Sequence, residues 1–140
     1  MAFPDPVPGL VIRYSYLWRD EARRGDEEGA KDRPCVVVLA VTDVEGQPVV
    51  TVAPVTHTPP RKRNDAVELP LATKKRLGLD EQASWILSTE VNCFVWPGPD
   101  LRPVSRARAD TFVYGFIPGG LLKALRGQIV RQGRVHVVNR

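Results

Sequence analysis

The chain is poor in the residues that support redox or metal chemistry. It has two cysteines, two histidines and one methionine among 140 residues. Cys35 and Cys93 are too few for a disulfide framework and do not stand at metal-ligand spacing. Each lies among apolar neighbours, so both read as buried, inert thiols. A catalytic cysteine would want a histidine close by, and only His57 and His136 exist. No metal and no cofactor are expected. No apolar run approaches the roughly 20 residues that cross a bilayer. Residues 1–6, Met1-Ala2-Phe3-Pro4-Asp5-Pro6, lack the basic and apolar regions of a secretion signal. The expectation is a cytoplasmic protein without membrane contact. Repeats and heptads are also missing, and the length suits one domain over residues 1–140.

What the chain does have is positive charge, unevenly placed. The net charge is +4. Between residues 61 and 76, Arg61, Lys62, Arg63, Lys74, Lys75 and Arg76 outweigh Asp65 and Glu68. Residues 102–140 carry eight basic side chains against Asp110 alone. Clustered cations on a small domain point to a polyanionic partner, either nucleic acid or an acidic protein segment. A plainly solvated basic surface is the other reading of the same composition.

The sequence is organised around residues 31–58. Two Val-rich runs, Pro34–Val41 and Pro48–Ala53, flank a polar turn at Glu45-Gly46 and predict an antiparallel hairpin with a longer loop. The start of the first strand then lies beside the end of the second. That places Arg33 next to Thr56, 23 positions away in sequence. A guanidinium and a hydroxyl meeting at a sheet end make a candidate phosphate site. Alternatively, Arg33 is a surface charge before a strand, and Thr56 a strand-end hydroxyl bonded to backbone. His57 is a tempting proton acceptor. If the strand runs on through Thr56, however, adjacent side chains point to opposite faces. The two share a site only if the chain has already turned.

Elsewhere the pattern gives a first strand from Leu10 to Trp18 and a charged, mobile surface loop over residues 19–32. A short strand is expected at Val67–Leu69. A small helix follows from Pro70 to Gly78, with Pro in its first turn and Gly just past its end. Strands are expected at Trp85–Ser88 and Cys93–Trp96, and a firm turn at Pro97-Gly98-Pro99-Asp100. The clearest helix covers residues 119–132, with Leu121, Leu122, Leu125 and Ile129 on one stripe. Val135–Val138 can add an edge strand. The fold class is mainly β with one C-terminal helix, a small barrel of SH3-like or OB-like form. Trp18, Trp85 and Trp96 lie in or beside apolar runs and read as core before they read as base-stacking platforms.

Arg33-Pro34 opening one strand and Pro54-Val55-Thr56 closing the next resemble the MazF/PemK family of type II toxin–antitoxin ribonucleases. The order and spacing of these motifs carry the resemblance, which extends more weakly through Glu68-Leu69-Pro70, Ser84–Val95 and the last helix, over about residues 8–130. It implies an SH3-like barrel and a homodimer that binds single-stranded RNA across its interface. It also implies an acidic antitoxin as partner. The implied activity is a metal-independent endoribonuclease that uses the ribose 2′-hydroxyl as nucleophile, with Arg33 and Thr56 catalytic. His57, Arg61, Lys62, Arg63 and Lys74 are the candidate substrate-binding residues. The alternative is a non-catalytic module on the same barrel, binding RNA or a protein target such as DNA gyrase.

Overall fold

A computed structural model describes residues 4–25, 29 and 31–140. The hairpin forms its centre. β2 (Arg33–Thr42) and β3 (Pro48–Thr56) pair antiparallel, with Cys35 opposite Pro54 and Thr42 opposite Pro48. Both strands are longer than the apolar runs alone suggested, and β3 ends on Thr56 rather than Ala53. β1 (Leu10–Tyr14) lies on the far side of β2, with Tyr14 opposite Arg33.

The continuous Val runs of the hairpin have a direct cause: both faces of this part of the sheet are covered. Ile12, Tyr14, Cys35, Val37, Val50 and Val52 face one core with Phe94, Trp96 and Phe112. Val11, Val36, Val38, Ala53 and Val55 face a second core with Ile86, Val91 and Leu125. The second is roofed by the last helix, α3 (Gly119–Arg131), whose predicted stripe of Leu121, Leu122, Leu125 and Ile129 packs there. Leu125 is fully buried, so its truncation to Ala should cost about 2–5 kcal/mol. Gln128, expected off that stripe, donates to the Ala66 carbonyl at 3.0 Å and ties α3 to the sheet.

β3 spends its second edge on two partners. Val49–Val52 pair with β6 (Glu90–Val95), while Val55 and Thr56 pair with β5 (Trp85–Leu87). β4 (Ala66–Glu68) follows β5, and β7 (Val113–Phe116) follows β1, giving the path β4-β5-β3-β2-β1-β7. β8 (His136–Asn139) leaves the path on β6 and is parallel to it, the one parallel pair among the described residues of an otherwise antiparallel, β-dominated fold. Splitting the β3 edge opens the sheet. No ladder among the described residues joins β4 to β7, so hydrogen bonds do not close the expected barrel.

The N-terminal third departs from the expectation in two places. The first strand stops at Tyr14, where the Tyr16 N–H turns back onto the Tyr14 carbonyl at 2.9 Å. The charged stretch begins as a short helix, α1 (Arg19–Arg23), held by the buried Glu21, whose carboxylate accepts the Trp18 N–H at 3.0 Å. Residues 26–28 and 30 of that expected loop lie outside the described residues. The small helix is present as α2 (Leu71–Leu77) and ends on Gly78 in the left-handed region at φ 74°, which favours glycine. No described helix is long and apolar enough to cross a membrane.

Candidate active site

The open end of the hairpin forms one wall of a cavity of about 550 Å³. β2 contributes Arg33 and Pro34, and the preceding residues Lys31 and Asp32. β3 contributes Val55 and Thr56, and the following residues His57 and Thr58. α2 and the connection to β5 add Lys74, Asp80 and Ser84. β1 and β7 add Arg13 and Tyr114. Arg33, Thr56, His57 and Lys74 therefore share one cavity, while Arg61, Lys62 and Arg63 do not line it. Those three are exposed on and before the 3-10 turn Arg63–Asp65.

Arg33 is positioned by its strand and only lightly held at its head. Its Nη1 donates to the Val55 carbonyl at a long 3.4 Å, and its guanidinium lies 4.7 Å from the centre of the Trp18 ring. Its Nε is buried and has no hydrogen-bond partner. A buried donor left unsatisfied costs about 1–3 kcal/mol, so an N–H kept in that state invites an acceptor from outside the protein. Thr56 is nearly buried, and its Oγ1 accepts the Thr58 N–H at 3.1 Å. That bond bends the chain immediately after the strand and leaves the hydroxyl hydrogen free to donate. The bend also brings His57 into the same cavity as its neighbour.

The ring of His57 is gripped from both sides. Nε2 lies 3.0 Å from Asp80 Oδ2, and Nδ1 lies 3.0 Å from both the Ala83 carbonyl and Ser84 Oγ. A carbonyl and a carboxylate only accept, so making both of those bonds requires a proton on each nitrogen. If Ser84 donates to Nδ1 instead, the ring is neutral with its proton on Nε2. In either arrangement no nitrogen is idle, so His57 cannot accept a substrate proton without first letting go of a partner.

Lys74, a candidate substrate-binding cation in the sequence, is 2% exposed. Its ammonium bonds Asp80 Oδ1 at 2.8 Å, Ser84 Oγ at 2.7 Å and the Gln82 carbonyl. All three of its donors are used, so its charge reaches the cavity through Asp80 and Ser84 rather than by an open head. The Lys74 bond, helped by the nearby His57, holds the Asp80 carboxyl below its ordinary range, against an opposing push from burial. Ser84 is 1% exposed, which leaves no approach for it as a nucleophile.

Several lining residues gave no signal in the sequence. Arg13 lies mid-strand, Tyr114 sits in the strand that was not expected, and Asp80 and Ser84 lie in a connection. Burial pushes the Tyr114 phenol up, and neighbouring Arg13 works against that shift. Cys35 is completely buried and burial pushes its thiol up, as suits an inert core cysteine. Trp96 is core, donating its indole N–H to the Pro4 carbonyl at 3.1 Å.

The family model described as PemK-like, MazF-like toxin of type II toxin-antitoxin system matches residues 16–94, more than half of the chain. The chain belongs to this family, and the family implies an antitoxin as partner. No curated protein matches the chain.

Proposed function

We propose that this toxin is a metal-independent endoribonuclease that cuts single-stranded RNA at the Arg33–Thr56 cavity. The observation that carries the reading is the meeting of Arg33 and Thr56 in one cavity, with the Arg33 guanidinium held by one long hydrogen bond and the Thr56 hydroxyl hydrogen left unused. A phosphodiester offers two non-bridging oxygens to such a pair. When the ribose 2′-hydroxyl attacks phosphorus, the 2′-oxygen–phosphorus bond forms and the bond to the 5′-oxygen breaks, leaving a cyclic phosphate and a free 5′-hydroxyl. Negative charge grows on the non-bridging oxygens, where a guanidinium fork and a hydroxyl stabilise it most. The cavity opens to solvent, so water can take the 2′-hydroxyl proton and supply one to the 5′-oxygen.

Arg61, Lys62 and Arg63, exposed next to the end of β3, would hold backbone phosphates outside the cavity. His57 and Lys74 would shape its wall through Asp80. An acidic antitoxin would compete for the same cations. A homodimer has a suitable face in the exposed Leu39, Val130 and Val137, which border a groove of about 340 Å³ between β2 and α3.

The test is incubation of the purified protein with long single-stranded RNA in EDTA. Cleavage with cyclic-phosphate and 5′-hydroxyl ends is expected. Cleavage that appears only with added Mg²⁺ or Mn²⁺ would overturn the mechanism.

A further inference from the structure

A second groove opens beside the Arg33–Thr56 cavity and shares two of its walls, Arg13 and Asp32. It measures about 440 Å³, and its remaining lining comes from residues 102–109, chiefly Arg102, Ser105 and Arg106. This segment lies outside the residues matched by the toxin family.

The segment is fastened at its base. Leu101 bridges to Tyr14, and the Arg102 N–H donates to the Arg13 carbonyl at 3.0 Å. The Val104 N–H donates to the Thr111 carbonyl at 3.0 Å, which closes residues 104–111 into a loop. Side chains are placed as firmly. Arg13 Nη1 donates to the Val104 carbonyl at 3.0 Å, and Arg102 Nη1 to the carbonyls of Pro99 and Leu101 at 2.9 and 3.2 Å. Among the described residues Asp32 is the one acid in the lining, 3.8 Å from Arg102 Nε. Three arginines among the described residues share this lining with one carboxylate, and Arg106 is exposed.

We propose that this groove is a second phosphate subsite, which holds the backbone of the same RNA strand away from the phosphate at Arg33. The proposal takes its ligand from the ribonuclease reading. Continuity through Arg13 favours RNA: a strand leaving the cavity past Arg13 enters the groove directly. No aromatic side chain among the described residues lines the groove, so its contacts are to phosphate and independent of base sequence.

The test measures binding in EDTA of fully 2′-O-methylated RNA, which cannot be cut, in oligonucleotides spanning one to several subsites. The parent protein is compared with Arg106→Ala, Arg106→Glu and the double variant Arg102→Ala/Arg106→Ala. Affinity of the parent should rise with length. The double variant should lose that rise and bind the longest RNA on the order of tenfold more weakly, with the shortest unaffected. Its log affinity should also depend less steeply on log salt, by about 0.7 for each phosphate contact removed. Arg106 is exposed, so its single variants stay folded and should show part of the loss, Glu more than Ala. Equal affinity of parent and Arg106 variants for every length would overturn the subsite. So would unchanged RNA binding together with weakened binding of a Glu-rich peptide, which would give the groove to a protein partner. A length effect lost in the variants, in a protein that cuts no RNA, would keep the subsite and remove the ribonuclease reading.

Discussion

Arg33 and Arg140 look alike at first: each guanidinium sits against an aromatic ring, at 4.7 Å from Trp18 and 5.4 Å from Tyr14. Their hydrogen bonds separate them. Arg140 Nη1 donates to the Tyr14 hydroxyl, the Ser15 carbonyl and Asn92 Oδ1 at 2.8–3.2 Å, and Nη2 meets Asp100 at 3.1 Å. Burial pushes the Tyr14 phenol up, and Arg140 opposes that push. Arg33 has one long bond to a carbonyl and an Nε with no partner. One arginine is consumed in joining the end of β8 to β1 and β6. The other keeps donors in reserve inside a cavity. A cation's availability, rather than its burial or its ring contact, marks the place where a ligand belongs.

The comparison breaks if the two arginines behave alike when removed. Arg33→Ala should lower RNA cleavage on the order of 10²-fold or more and leave the melting transition nearly unchanged. Arg33→Lys, which keeps the charge and loses the fork, should fall between the two. Arg140→Ala should do the reverse. It should cost about 2–3 kcal/mol of stability by stranding Asp100 and opening the packing, with cleavage by the folded fraction unaltered. Melting curves and single-turnover cleavage on both variants decide the matter. A stability loss in Arg33→Ala equal to that in Arg140→Ala would make both arginines structural.

Thr56→Val sharpens the contrast at smaller amplitude. It removes the hydroxyl that donates into the cavity and keeps the shape, so cleavage should slow by about tenfold. The same change deletes the acceptor for the Thr58 N–H, at a cost of about 1 kcal/mol. Wild-type cleavage in both Thr56→Val and Arg33→Ala would move the chemistry away from the hairpin end.

The smallest effect belongs to Asp80. Its carboxyl titrates lower in the folded chain than the ordinary 3.8, chiefly through the Lys74 bond. The stabilisation it provides is complete above the ordinary carboxylate range and disappears as pH falls through the lowered value. Asp80→Asn should therefore destabilise the protein near neutrality and flatten the acid limb of its stability curve below about pH 4. Because Asp80 is 57% exposed, solvent screening keeps the loss to about 1 kcal/mol. Denaturant midpoints measured from pH 2 to 7 in parent and variant test this, and parallel curves would refute it.

The hairpin, both longer helices and the meeting of Arg33 with Thr56 were legible in one dimension. A β-branched run bounded by Pro and Gly declares a strand, and antiparallel pairing then fixes which ends are neighbours. Pro70 and Gly78 mark their helix for equally local reasons. Which cations are occupied was not legible. Lys74 reads like Lys75 and Arg76 until the Asp80–Ser84 connection folds over it, and Arg140 reads like Arg134 until β8 lies along β6. β7 and the entry of Arg13 and Tyr114 into the cavity were hidden for the same reason. Local sequence carries backbone preference and apolar period. Whether a polar head is paired depends on acceptors that arrive from strands and loops far along the chain, and only the tertiary structure brings those together.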